Sequence, residues 1–339
     1  MYQTSKALKA SIVLILGIAI FGAQATRGKT TPTPTDGNGI AVLWREPVDL
    51  VSRDLFYGPG GKAHEPHGPF TFETEITDGS SPKFDVVDQN GVKWRVKMGI
   101  EARPETVASR LVWAVGYFAN EDYFMPVLHI QGMKHLSRGQ RLVSGGDTVK
   151  NVRLKRHLKN EKKIGTWSWA ADPFKDTREW YGLRVLMAVI NNWDLKDQNN
   201  SVYQTVGKSP EQRYMVSDLG ASFGTTGLDR TSKGSLAAYR HSKLIKNVSP
   251  GFVDFYVPSL PSVGFFFDVP EFGRRVGLLW LGRHIPTTDA IWLGHLLAQL
   301  SPNQIRDAFR AAGYAPPDVE AFSQEVEHRI AELESLSKG

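Results

Sequence analysis

Between Phe70 and Met98 the chain alternates apolar and polar residues in three short runs, and this pattern constrains the fold more than any other stretch. Phe70-Thr71-Phe72-Glu73-Thr74-Glu75-Ile76 reads as a strand, because successive strand side chains point to opposite faces. Asp78-Gly79-Ser80-Ser81-Pro82-Lys83 is a turn and Phe84-Asp85-Val86-Val87-Asp88 a second strand. Asn90-Gly91 then supplies the strongest short-range hairpin signal, since both residues tolerate the positive φ of a two-residue turn. The third strand, 92–98, places Val92, Trp94, Val96 and Met98 on one face and Lys93, Arg95 and Lys97 on the other.

A helix opens at Arg103-Pro104-Glu105. Proline suits a first turn, where its missing N–H is no loss, and glutamate suits the positive end of the dipole. Val107, Leu111, Ala114, Val115 and Phe118 give this helix an apolar face. Residues 123–130 read as a strand and 143–158 as a hairpin turning at Ser144-Gly145-Gly146-Asp147. From Thr177 to Asn192 a helix buries Trp180, Leu183, Leu186, Met187 and Ile190. The C-terminal third is helical over 288–300, 302–312 (capped by Ser301) and 317–336.

With 41% hydrophobic and 11% aromatic residues among 339, the chain can bury a sizeable core, as one two-lobed domain or two ordinary ones. The absence of cysteine excludes disulfides, thiol nucleophiles and Cys-ligated zinc. A net charge of +6 fits an anionic ligand such as a nucleotide. No basic run carries interleaved aromatics, so nucleic acid is not an expected partner. The densest positive cluster, 150–159, reads as a solvated face. Gly58-Pro59-Gly60-Gly61-Lys62 lacks the P-loop pattern and reads as a turn; His64, Glu65 and His67 lack metal-ligand spacing. The aromatic, proline-broken stretch 252–267 reads as a packed irregular segment.

Residues 1–25 have the form of a secretory signal. Lys6 and Lys9 precede a short apolar run, 12–21, and Ala23-Gln24-Ala25 fits the small-x-small cleavage pattern. The run is shorter than the roughly 20 residues that span a bilayer. The expectation is export to a periplasmic or extracellular space, with a membrane contact only through an uncleaved signal. The Thr/Pro/Gly-rich stretch 26–39 reads as a flexible linker.

Two polar motifs follow the long helix. Asp194-Leu195-Lys196-Asp197-Gln198-Asn199 is D-L-K-x-x-N, and Asp218-Leu219-Gly220 is D-L-G, delivered by an apolar run at 214–216. Together with the strand ending in Lys97 and the helix carrying Glu105, they resemble the catalytic parts of the protein-kinase superfamily, in the same chain order. The likeness spans 70–224. No His-Arg precedes Asp194 and no Ala-Pro-Glu follows Gly220, so the closer resemblance is to atypical branches: HipA-type, phosphoinositide-type and secretory-pathway kinases.

That resemblance implies an α+β, two-lobed protein-kinase-like fold, with an antiparallel β-rich N-lobe (40–165) and a mainly α-helical C-lobe (166–339). It implies ATP and Mg²⁺ or Mn²⁺ as cofactors and an unidentified hydroxyl acceptor. Asp194 would orient or deprotonate the hydroxyl, Lys196 would meet the γ-phosphate, and Asn199 and Asp218 would hold the metal. Lys97 would hold the α- and β-phosphates and pair with Glu105, with Glu101 in reserve. Gly79, Ser80, Ser81 and Lys83 would cover the phosphates. Asp197 and Asn200 are the neighbours that would take over in another loop register. The stretch 225–234 stands where an activation segment would lie and is expected to be mobile. The competing reading is a catalytically inactive kinase-fold binding protein, which loss of a metal ligand would favour; every ligand candidate is present. A metal hydrolase would need a His or carboxylate set, and His129, His135 and His157 show no ligand spacing.

Overall fold

The computed structural model describes residues 39–338 except Ser80, Lys208, 225–231 and 258–268. The expected signal 1–25, the linker up to residue 38, Ser80, most of 225–234 and much of 252–267 therefore lie outside the described residues. Among the described residues no helix is long and apolar enough to cross a membrane.

The sequence between Phe70 and Met98 folds as its alternation requires. Strands β2 (Phe70–Ile76), β3 (Lys83–Val87) and β4 (Lys93–Met98) form an antiparallel meander; a first short strand, β1 (Ile40–Val42), lies elsewhere. Asp88 fixes the hairpin. Its carboxylate accepts from the N–H groups of Asn90 (2.8 Å) and Val92 (2.9 Å) and from Trp94 Nε1 (2.8 Å), while Gly91 takes φ 71°. Phe84, Val86, Trp94, Val96 and Met98 turn into one core. Strands β5 (Asp122–Gln131), β6 (Val143–Ser144) and β7 (Thr148–Arg156) extend the sheet in the order β4-β3-β2-β5-β7-β6. Because β7 also pairs with β4, five of these strands close into a ring; its thinnest seam is the parallel β2–β5 contact, two residue pairs long. This ring is the β-rich N-terminal lobe.

The larger core belongs to the helical lobe. Its sheet runs β1-β10-β9-β8, where β8 is Glu161–Gly165, β9 Asn200–Thr205 and β10 Glu211–Val216. Thus β1 and β8, at the two ends of the expected N-lobe 40–165, pair inside the helical lobe. The helices are α1 (Ala102–Ala114), α2 (Arg178–Val189), α3 (Leu236–His241), α4 (Val269–Gly277), α5 (Thr287–Leu297), α6 (Pro302–Ala311) and α7 (Pro316–Ser335). A small sheet of β11 (Ile245–Ser249), β12 (Phe252–Phe255) and β13 (Ile285–Pro286) lies among them. Ser301 caps α6 in a reciprocal pair with Gln304. The architecture is the α+β, two-lobed one expected from the sequence.

Helix α1 departs from the simple amphipathic expectation. Apart from Arg103 and Trp113 its residues are buried, and Val107, Ala108, Leu111 and Val112 join the helical lobe's core. It ends before Gly116 (φ 96°), where a Cβ would lie 2.1 Å from the Arg45 carbonyl oxygen.

Candidate active site

Helix α2 aims the first motif. Its C-terminus passes into Asn191 at φ 45°, a left-handed conformation that asparagine tolerates and that turns the chain away. Asn191 Nδ2 then binds the Gly224 carbonyl and Ser242 Oγ (3.0 Å). The buried Arg329 of α7 donates to the carbonyls of Ala188 (3.2 Å) and Val189 (3.4 Å) at the end of the helix. The loop emerges from a fixed point.

Inside the loop, Asn199 does two jobs. Its Nδ2 donates to the Asp194 carbonyl at 2.6 Å, and its own carbonyl accepts from the N–H groups of Ser217 (2.9 Å) and Asp218 (3.1 Å). The two motifs are thereby stapled together. Lys196 Nζ lies 3.1 Å from Asp194 Oδ2. Asp197 accepts from the Trp169 N–H (3.3 Å) and Asn200 donates to the Trp167 carbonyl (3.1 Å). Both neighbours serve the scaffold, and neither lines the cavity between the lobes.

That cavity, about 490 Å³, brings together Gly79, Lys83, Lys97, Glu105, Asp194, Lys196, Asn199 and Asp218. Lys97 is at its floor, 4% exposed, with its ammonium 2.6 Å from Glu101 Oε2, 2.9 Å from Glu105 Oε2 and 3.0 Å from Asp218 Oδ1. Both glutamates therefore pair with the lysine. Burial opposes the charge on Lys97, but the carboxylates of Glu105, Asp218 and Glu101 outweigh it and hold its pKa well above the usual lysine range. Burial likewise opposes ionisation of Glu101, yet Lys97 and Lys233 bring its carboxyl down to about 2. Against burial, Lys97 also holds Asp218 well below the usual carboxylate range. Burial pushes Glu105 upward, against the pull of Arg153 and Lys97.

The turn residues divide. Gly79 and Lys83 reach the cavity, whereas Ser81 Oγ donates to Glu101 Oε2 (2.8 Å) and so braces the lysine's partner. Gly220 explains the last letter of D-L-G: a Cβ there would lie 2.8 Å from Glu101 Oε2 and 2.9 Å from Glu101 Cβ.

One expectation is overturned. The basic stretch 150–159 is not simply a solvated face. Arg153 is 5% exposed, donates to Glu105 Oε1 at 2.6 Å, and faces Asp122 at 3.5 Å. The reason is register: β7 pairs with β4 so that Arg153 stands opposite Lys97. Lys155 and Lys163 also line the cavity.

The donor set suits a hard dication. Asp218 Oδ1 is occupied by Lys97 and by the Gly220 N–H (3.2 Å), and the side chain stays 43% exposed, so Oδ2 is the oxygen it offers. Asn199, its nitrogen spent on Asp194, offers Oδ1. Carboxylate oxygens of Glu101, Glu105 and Asp218 also lie within 4.8 Å of one another, but Lys97 already contacts all three, so this group is a cage for the lysine.

No protein-family model and no curated protein matches the sequence. Among solved structures the chain is similar to the Helicobacter pylori proinflammatory kinase CtkA, at 9% identity over 80% of this chain and 95% of that one, with a TM-score of 0.44. It is also similar to the Golgi casein kinase, at 12% identity over 79% of this chain and 73% of that one, TM-score 0.39. The structure of that kinase with Mn/ADP bound gives 10% identity over the same shares, TM-score 0.40. The functional reading rests on the side chains of the cleft.

Proposed function

We propose that the chain is an atypical kinase-like phosphotransferase that moves the γ-phosphate of ATP to a hydroxyl of a protein, glycan or small molecule with Mg²⁺ or Mn²⁺. One observation carries this reading: the Lys97 ammonium, clamped by Glu105 at 2.9 Å, reaches Asp218 at 3.0 Å in a cavity that also contains Asp194, Lys196 and Asn199. Export rests on the signal-like sequence 1–25 alone.

Phosphoryl transfer spreads negative charge over the phosphoryl oxygens, so catalysis is mostly positioning plus cations. Lys97 presents a permanent positive charge to the donor phosphates, since three carboxylates keep it protonated. Asp194 accepts the proton of the attacking hydroxyl, and Lys196, 3.1 Å away, neutralises charge where the phosphoryl group passes. Asn199 and Asp218 would hold the dication, which when bound offsets phosphate charge. The staple between Asn199 and Asp218 keeps those two ligands in fixed relation.

The test is a thermal shift of the chain with ATP and either metal, beside Asp218→Ala. Ligand at about 100 times its Kd adds roughly 2.7 kcal/mol of stability. A metal-dependent rise that Asp218→Ala abolishes supports the site; no rise at millimolar ATP with either metal refutes it.

A further inference from the structure

The inner end of the same cleft has a charge pattern that the reaction above leaves unused. On paired strands β4 and β7, Lys97 stands opposite Arg153 and Arg95 opposite Lys155. Two residues along a strand cover about 7 Å. The Arg95–Lys155 pair therefore lies one such step from the Lys97–Arg153 pair, toward the segment 157–160 that joins the lobes. On the facing sheet Lys163 stands opposite Tyr203, and Lys155 Nζ donates across to Tyr203 Oη at 2.9 Å.

A nucleoside triphosphate with its phosphates at Lys97 and its reacting end at Asp194 extends its base toward this inner end. A base binds by stacking on aromatic or apolar walls. Among the described residues that line the cavity, those walls are missing. Among the described residues lining the cavity, Ala221 alone has an aliphatic side chain and Tyr203 alone a ring, and that ring already carries the Lys155 ammonium 5.2 Å from its centre.

Charge is unevenly divided along the cleft. Around Lys97 carboxylates balance cations. At the inner end, Arg95 binds Asp85 through two hydrogen bonds (2.8 and 3.1 Å), but Asp85 is shared with Lys93 (3.3 Å) and His157 (3.6 Å). Lys155 has only the Tyr203 hydroxyl, and Lys163 has no ion pair among the described residues.

We propose that the cleft recognises its donor as a run of phosphates and not as a nucleoside: Lys155 and Lys163 take phosphate where a base would otherwise lie, so inorganic polyphosphate serves as donor. This inference rests on the phosphotransferase reading. The acceptor hydroxyl oxygen bonds to the terminal phosphorus, and the bond from that phosphorus to its bridging oxygen breaks. The hydroxyl proton passes to Asp194, and the polyphosphate leaves one unit shorter, its new terminal charge facing Lys97.

The experiment is isothermal titration of the full chain, with Mg²⁺, against inorganic tripolyphosphate, a longer linear inorganic polyphosphate, ATP and adenosine. Tripolyphosphate and ATP are expected to bind within roughly threefold of each other, with adenosine displacing neither. Lys155→Met/Lys163→Met should weaken the longer polyphosphate by roughly tenfold or more, the worth of about one charge-assisted contact, while melting as the wild type does and leaving tripolyphosphate, which ends where a base would begin, nearly unchanged. Lys163→Met alone, at an exposed position, gives a smaller loss in the same direction and covers the case in which the double variant misfolds. If ATP binds roughly tenfold or more tightly than tripolyphosphate and adenosine displaces it, this inference falls and the phosphotransferase reading stands. Unchanged affinity for the longer polyphosphate in the variants also overturns it. If neither ATP nor tripolyphosphate binds, with Mg²⁺ or Mn²⁺, both readings fall.

Discussion

Replacing Lys97 by methionine tests the charge cluster directly. The substitution keeps the length of the side chain and removes the cation from among three carboxylates that lie within 4.8 Å of one another. Two unit charges at that separation repel by about 3.5 kcal/mol at an effective dielectric of 20, and breaking a buried pair costs about 3–5 kcal/mol. At pH 8 the variant should therefore lose about 3–5 kcal/mol, roughly 6–10 °C at about 2 °C per kcal/mol for a chain of this size. The loss should shrink on acidification. Without Lys97, the folded-state carboxyl pKa values rise above their unfolded values, so stability returns as pH falls toward the ordinary glutamate value of 4.5. In the wild type Glu101 has the opposite sign: held at about 2, it contributes stability that is present above 4.5 and lost only as pH falls toward 2. Urea denaturation of both proteins at pH 8 and pH 5 is the assay. An identical gap at both pH values, or a gap under about 1 kcal/mol at pH 8, refutes the reading of Lys97 as the charge that holds the three acids together.

Asp194→Ala should lower the transfer rate by about 10²–10⁴ and leave the melting temperature nearly unchanged, because its side-chain ion partner among the described residues is Lys196; normal transfer would refute its assignment as the base. Gly220→Ala should destabilise by about 1–3 kcal/mol and impair nucleotide binding, since the added methyl meets Glu101 at 2.8–3.0 Å; a fully active, equally stable variant would show that Glu101 need not stay put. Arg153→Met should cost about 3–5 kcal/mol, because it strands the buried Glu105 and Asp122 carboxylates together; thermal melting checks this, and a stable variant would mean that water reaches them.

What the sequence made legible was local. Alternation and Asn90-Gly91 located β2, β3 and β4 to within a residue or two, and Pro104 and Ser301 marked the starts of α1 and α6. The candidate lysine, glutamate and motif residues were recoverable because each lies in or just after an element with its own period. What stayed hidden depends on pairing between distant strands. Nothing near Arg153 announces that it faces Lys97; only the β4–β7 register does. Strand β9 was missed because it begins inside an Asn-rich loop, and its place is fixed by its pairing with β10. The placement of β1 and β8 in the helical lobe is non-local in the same way. The all-round burial of α1 was unreadable because a helix wedged between two cores shows no single stripe.

That burial bears on control. Swinging α1 away would part Glu105 from Lys97 and return Val107, Leu111 and Val112 to water. At about 1.5–3 kcal/mol per buried side chain, the three together cost roughly 5–9 kcal/mol, comparable with the whole stability of a domain. A regulatory element works between states only a few kcal/mol apart. This helix lies outside that range, so the lysine–glutamate clamp stays assembled for as long as the protein is folded.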